Sequence, residues 1–108
     1  MFRINIVKTA KGYNPKEEYH LFDEESKNGF QDFKEAVAWL KEQYPPGSWK
    51  HKKPMYSDMK DGSTKRVGWV IGFKNCDWSH SPVERWLQQD WIGFQEVHNY
   101  YLNEGEVI

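Results

Sequence analysis

From Phe30 to Tyr44 the apolar residues Phe30, Phe33, Val37, Leu40 and Tyr44 recur every three or four positions, with Ala36 filling the same stripe. That period belongs to an α-helix with one buried face, and it predicts one main helix over about 31–44. Asp32 followed by Glu35 supplies a capping pair near its start. The run Tyr44-Pro45-Pro46-Gly47 stops it, because proline lacks an amide hydrogen and clashes with the preceding turn. A helix with a single apolar stripe must lay that stripe on a flat apolar layer. A sheet is the candidate, so the rest of the chain has to supply strands.

It does so on both sides. In FRINIVKT, Phe2, Ile4 and Ile6 alternate with Arg3, Asn5 and Val7, the two-residue period of a strand with one face buried. The polar run AKGYNPKE reads as a turn region, and EYHLFD as a second strand pairing back on the first. Beyond the helix, Asp61-Gly62 lies between two strand-like runs and marks a second hairpin, Asp-Gly being favoured where a type I′ turn needs positive φ twice. On the return strand Val67, Trp69, Ile71 and Phe73 share one face, and Gly68, Val70 and Gly72 the other. Glycines so placed indicate that a ring or a partner backbone comes close there. Ser81-Pro82-Val83-Glu84 combines a serine cap, a first-turn proline and a glutamate three after the cap, predicting a short second helix over about 82–89. The segment WIGFQEVHNYY fits a helical stripe or a strand, and is read as a last strand. The expectation is an α+β fold: a mostly antiparallel sheet of about five strands, the main helix packed on one face, and a single domain over 1–108.

Composition says what fills such a core. Six Phe, six Trp and six Tyr stand against five Ile, four Leu and seven Val, so rings outnumber branched aliphatics. Burying one large ring removes roughly 150 to 250 Å² from water. With few aliphatics, most rings, Trp39, Trp69 and Trp86 among them, are expected inside. Eighteen rings in 108 residues exceed what a small interior holds, and the surplus is expected on a surface that another molecule covers. Trp78, Trp91 and Tyr100 are the residues expected there, engaging another protein, with the acidic last third steering a basic partner.

Charge is distributed more unevenly than its net value of -1 suggests. Residues 43–74 carry seven Lys and Arg against two Asp, and residues 75–108 carry one Arg against six Asp and Glu. The basic stretch makes single-stranded nucleic acid an alternative partner, with Trp49 and Tyr56 stacking beside Lys50, Lys52, Lys53, Lys65 and Arg66. A solvated lysine-rich edge is the plainer account of the same residues.

Catalytic signals are sparse. Cys76 and His80 are close enough in sequence for a nucleophile and base, or for two metal ligands completed by His20, His51 or His98. Zinc sites, however, show paired ligands at short spacing, and one cysteine with four scattered histidines does not. A buried thiol beside turn and cap side chains explains the segment as well. No phosphate loop, dinucleotide turn, HExxH or GxSxG element occurs. Neither a metal nor an organic cofactor is expected. The first ten residues fit no signal peptide, no segment reaches membrane-spanning length, and a lone cysteine suits a reducing cytoplasm. An exposed edge strand leaves a homodimer open.

Overall fold

The computed structural model describes residues 1–9, 22–74, 90–98 and 101–108. They form a five-stranded antiparallel sheet with one α-helix on one face. The strands are β1 (Phe2–Thr9), β2 (Phe22–Phe30), β3 (His51–Asp58), β4 (Thr64–Lys74) and β5 (Asp90–Glu96), in the spatial order β2-β1-β5-β4-β3, with α1 (Phe33–Gln43) between β2 and β3 in sequence. The α+β architecture is the one that the alternating and helical periods predict. The second helix expected over 82–89 lies outside the described residues. The other helical element among the described residues is a 3-10 turn, Pro46–Ser48, formed by the prolines that end α1.

The helix begins at Phe33, three residues after the apolar stripe does. Asp32 is extended, at φ -118° and ψ 136°, and its side chain accepts a hydrogen bond from the Lys34 amide at 2.6 Å. Capping satisfies one of the amides left without a partner at a helix start. Phe30 therefore belongs to β2, where it pairs with Phe2, yet its ring still meets Trp39 at 5.8 Å. Here the helical period joined a strand residue to a helix face because both look into the same core. β2 also runs through the polar EESKNG, farther than its aromatics indicated. As an edge strand bonded only to β1 it needs few apolar residues, and Glu25 to Gly29 are all exposed.

The second hairpin turns differently from the type I′ expectation. Only Gly62 takes positive φ, at +87°. The Gly62 amide donates to the Met59 carbonyl at 3.0 Å, and the Met59 amide to the Ser63 carbonyl at 2.7 Å. This is a three-residue loop closed by a left-handed glycine, the next commonest hairpin solution.

β5 is buried along most of its length, its end residues Asp90 and Glu96 included, and sits at the centre, between the two hairpins. Its Ile92 and Phe94 are fully buried on the helix side, with Ile4, Ile71, Ala36 and Leu40 equally enclosed. Phe33 of α1 meets Phe2 and Phe94 edge-on at 5.7 and 5.5 Å. Leu102 and Ile108 complete this cluster, so the segment 101–108 covers the part of the sheet that α1 does not reach. Of the tryptophans described, Trp69 is buried, and Trp39 and Trp49 pack half-buried against the core.

Candidate functional site

Residues directly opposite in antiparallel strands project to the same face, so register defines the sheet face away from α1. Val7, Trp91 and Gly72 form one row across it, Asn5, Gly93 and Val70 a second, and Arg3, Gln95 and Gly68 a third. Trp91 is half-buried, and a Cβ built on Gly93 would stand 3.2 Å from its Cζ3. The indole thus lies across a glycine that makes room for it. Gly72 pairs with Trp91 from the other side, and Gly68 has the backbone of β5 against it, a Cβ there falling on the Phe94 carbonyl oxygen. Of the contacts expected from the β4 glycines, the close backbone is met at Gly68, whereas the close ring lies at Gly93 of β5. Toward β2 the face turns polar: Arg3 Nε donates to Asn28 Oδ1 at 2.8 Å, and Ser26 Oγ to Asn5 Oδ1 at 2.7 Å.

A cleft of about 690 Å³ opens where the β3–β4 loop meets the end of β5, lined among others by Asp58, Lys60, Lys65, Gln95, His98 and Tyr101. Its floor is fixed by the start of the chain. The Val97 amide donates to the Met1 carbonyl at 2.9 Å, and the Met1 amino group meets Glu96 Oε1 at 2.7 Å. His98 follows at φ 75°, the one described non-glycine residue with positive φ, a conformation that costs a side-chain-bearing residue of order 1 kcal/mol or more. After this excursion the chain returns to β4, the Leu102 amide donating to the Arg66 carbonyl at 2.9 Å. Leu102 enters the core, while the adjacent Tyr101 stays 52% exposed with Lys65 Nζ 5.5 Å from its ring centroid. Sequence reasoning named Tyr100 and passed over Tyr101. The adjacent pair of tyrosines was the available signal.

The residues of the basic hairpin divide by role. Trp49 is structural: its Nε1 donates to the Tyr44 carbonyl at 2.9 Å. A bulge between the pairs Met55–Gly68 and Tyr56–Arg66 inserts one extra residue in β4 and reverses the alternation beyond it. Arg66 consequently joins the Trp69 face, its guanidinium 4.9 Å from the indole centroid, and Val67, expected beside Trp69, lines the cleft instead. Lys52 Nζ lies 5.2 Å from the same centroid. Arg66 Nη2 donates to the Asn103 and Glu106 carbonyls at 2.9 and 2.6 Å, and Lys52 Nζ to the Ile108 carbonyl at 3.3 Å. The basic and acidic stretches, separate in sequence, are therefore folded against each other. Arg66 Nε and Trp69 Nε1 are buried beneath this segment with no hydrogen-bond partner among the described residues, an arrangement that costs about 1–3 kcal/mol per group. Lys53 and Tyr56 remain exposed on β3, as does Lys50 just before it.

Trp78, Tyr100, Cys76 and His80 lie outside the described residues. His51 sits on β3 and His98 beyond β5, and among the described residues no group of three or more His, Cys, Asp or Glu side chains is placed to hold a metal ion. No described helix is long and apolar enough to cross a membrane. No protein-family model matches the chain, and no curated protein or solved structure matches it.

Proposed function

We propose that the protein is a small binding module, without chemistry of its own, that engages a protein partner through aromatic residues. Trp91 and Tyr101 are the described members of that surface, and Trp78 and Tyr100 are its expected neighbours in sequence. The observation that carries the reading is Tyr101: a large ring half in solvent, a lysine against it, at the rim of a cleft of about 690 Å³. Amphipathic rings of this kind supply contact area at low conformational cost and are enriched where proteins meet. Trp91 contributes an apolar centre some way along β5, framed by Val7 and Val70.

The test is capture of partners from nuclease-treated host lysate by the wild-type chain, Tyr101→Ala and Trp91→Ala. A protein retained by the wild type and lost from both variants, each with an unchanged circular dichroism spectrum, supports the reading. Equal retention by all three chains removes it.

Single-stranded nucleic acid is the second reading, favoured by the exposure of Lys53 and Tyr56 along β3 and of Lys50 just before it. It draws less support because Lys52 and Arg66 already donate to the segment 101–108. Quenching of tryptophan fluorescence by an oligonucleotide at low salt, lost when Lys50 and Lys53 become Gln, supports it. No quenching ends it.

A further inference from the structure

We infer that the helix-side surface of β3 and β4 is a peptide-docking groove, that residues 101–108 are its resident occupant, and that it accepts an acidic peptide flanked by aliphatic residues in their place. The inference concerns the sheet face opposite Trp91; it rests on the anchors and carbonyls of residues 101–108 and not on the Tyr101 ring that carries the reading above.

The resident segment shows what the groove takes. Leu102 and Ile108 are its two anchors, each 7% exposed within the core cluster. Between them Asn103 to Glu106 form a turn, the Glu106 amide donating to the Asn103 carbonyl at 3.0 Å, which presents main-chain carbonyls to Arg66 Nη2 at 2.9 and 2.6 Å. The sequence of the occupant, YLNEGEVI, is thus an acidic turn between aliphatic residues.

It fills the groove incompletely. Two cations, Lys52 and Arg66, stand within 5.2 and 4.9 Å of the centroid of one indole. The acceptors that Arg66 meets among the described residues are main-chain carbonyls, not carboxylates. Glu106 turns its own carboxylate to Asn103 Nδ2 at 2.9 Å. Arg66 Nε and the indole Nε1 of Trp69, a residue only 7% exposed, meet no acceptor among the described residues. A guanidinium edge and an indole N–H beside an ammonium form a donor set for a carboxylate, and a charged acceptor binds such donors more strongly than a neutral carbonyl does. An incoming peptide that keeps the aliphatic anchors and delivers a side-chain carboxylate to Nε and Nε1 makes contacts that the resident segment leaves unmade. Occupancy in cis sets the threshold, since apparent affinity falls by the fraction of molecules in which the groove is open.

The experiment uses the full chain and a labelled synthetic peptide, YLAEGEVI, followed by fluorescence anisotropy; alanine replaces the asparagine that holds the Glu106 carboxylate in the resident segment, which frees that carboxylate for Arg66 and Trp69. The wild-type chain is expected to bind it weakly. The Ile108→Ser chain, whose resident anchor is loosened, is expected to bind about tenfold more tightly or better, through a larger open fraction. Replacing both glutamates of the peptide with glutamine, or Arg66 with Gln in the Ile108→Ser chain, is expected to remove the gain. A folded Ile108→Ser chain that binds no more tightly than wild type, or that binds the glutamine peptide equally well, overturns the proposal. If Ile108→Ser does not fold, the wild-type chain decides: its Trp69 indole N–H resonance, identified by its loss in Trp69→Phe, is expected to move downfield under excess peptide. An unmoved indole resonance overturns the proposal.

Discussion

One face of the sheet is covered by two unlike structures. Over β1 and β2 lies α1, an 11-residue helix whose Ala36 and Leu40 are fully enclosed and whose Phe33 meets two further rings edge-on. Over β4 and β3 lies the segment 101–108, held by two aliphatic anchors and by carbonyls that Arg66 and Lys52 bond. Close packing of many apolar atoms has no substitute in solvent. A carbonyl bonded to a guanidinium near the surface does, because water or another chain can supply the same acceptor. The helix half is therefore expected to be the stable half, and the segment half the one that opens first.

Truncating one enclosed residue in each half sharpens that contrast most. Leu40→Ala is expected to cost about 3–5 kcal/mol, the upper part of the range for a side chain whose surroundings relax little. Ile108→Ala is expected near the lower end, about 2 kcal/mol or less, since a loosely held segment can settle into the space. Urea unfolding midpoints measure both. Equal losses would mean that the two covers are equally part of one cooperative core.

The same contrast marks what the residues revealed in advance. The helix half was legible because its information is periodic: the stripe Phe33, Val37 and Leu40, the Asp32 cap and the prolines after Tyr44 each specify local geometry. Even the misassignment of Phe30 came from this signal, a strand residue sharing the helix's core. The segment half was not legible, because what organises it is a single bulge. One extra residue near Val67 carries Arg66 to the opposite face from that given by alternation, and no residue type in TKRVGW announces it. The central place of β5 was likewise hidden, since periodicity identifies a strand and not its neighbours. Of the partner surface expected from sequence, Trp91 is described and lies on the face away from α1, and Trp78 and Tyr100 lie outside the described residues.

Gly68 provides the next largest effect, and it tests whether the bulge is held in place. A Cβ at this position would overlap the Phe94 carbonyl oxygen and stand 2.8 Å from the Gln95 Cα. Both are backbone atoms of the central strand and cannot swing aside as a flexible side chain would. Gly68→Ala is expected to destabilise by about 1–3 kcal/mol, the usual cost of forcing extra volume into a packed site, and to disturb amide resonances of β4 and β5 before those of α1. Destabilisation below that range with unshifted β5 amides would show that the segment half yields even at its strand junction.

The smallest effect comes from the loop that joins β3 to β4. Asp61 Oδ1 accepts from the Ser63 amide at 2.9 Å and from its hydroxyl at 2.5 Å. The hydroxyl bond, then the amide bond, with the charge of Lys65 adding to them, holds the carboxyl below its ordinary value of 3.8. A carboxyl whose folded pKa is depressed contributes stability above its unfolded pKa, and that contribution disappears as pH falls through the lower, folded value. The group is solvent-exposed, so the effect on global stability is expected to be slight and the local one measurable. Between about pH 6 and about pH 2 the Ser63 amide resonance should follow the Asp61 titration, and Asp61→Asn should flatten the curve. If the amides of α1 move in step with Ser63, acid is acting on the whole fold at once and the two halves are not separable. If Ser63 moves first, the hairpin end loosens while the helix half stays closed, which is the order that ring-on-ring packing against carbonyl-held chain requires.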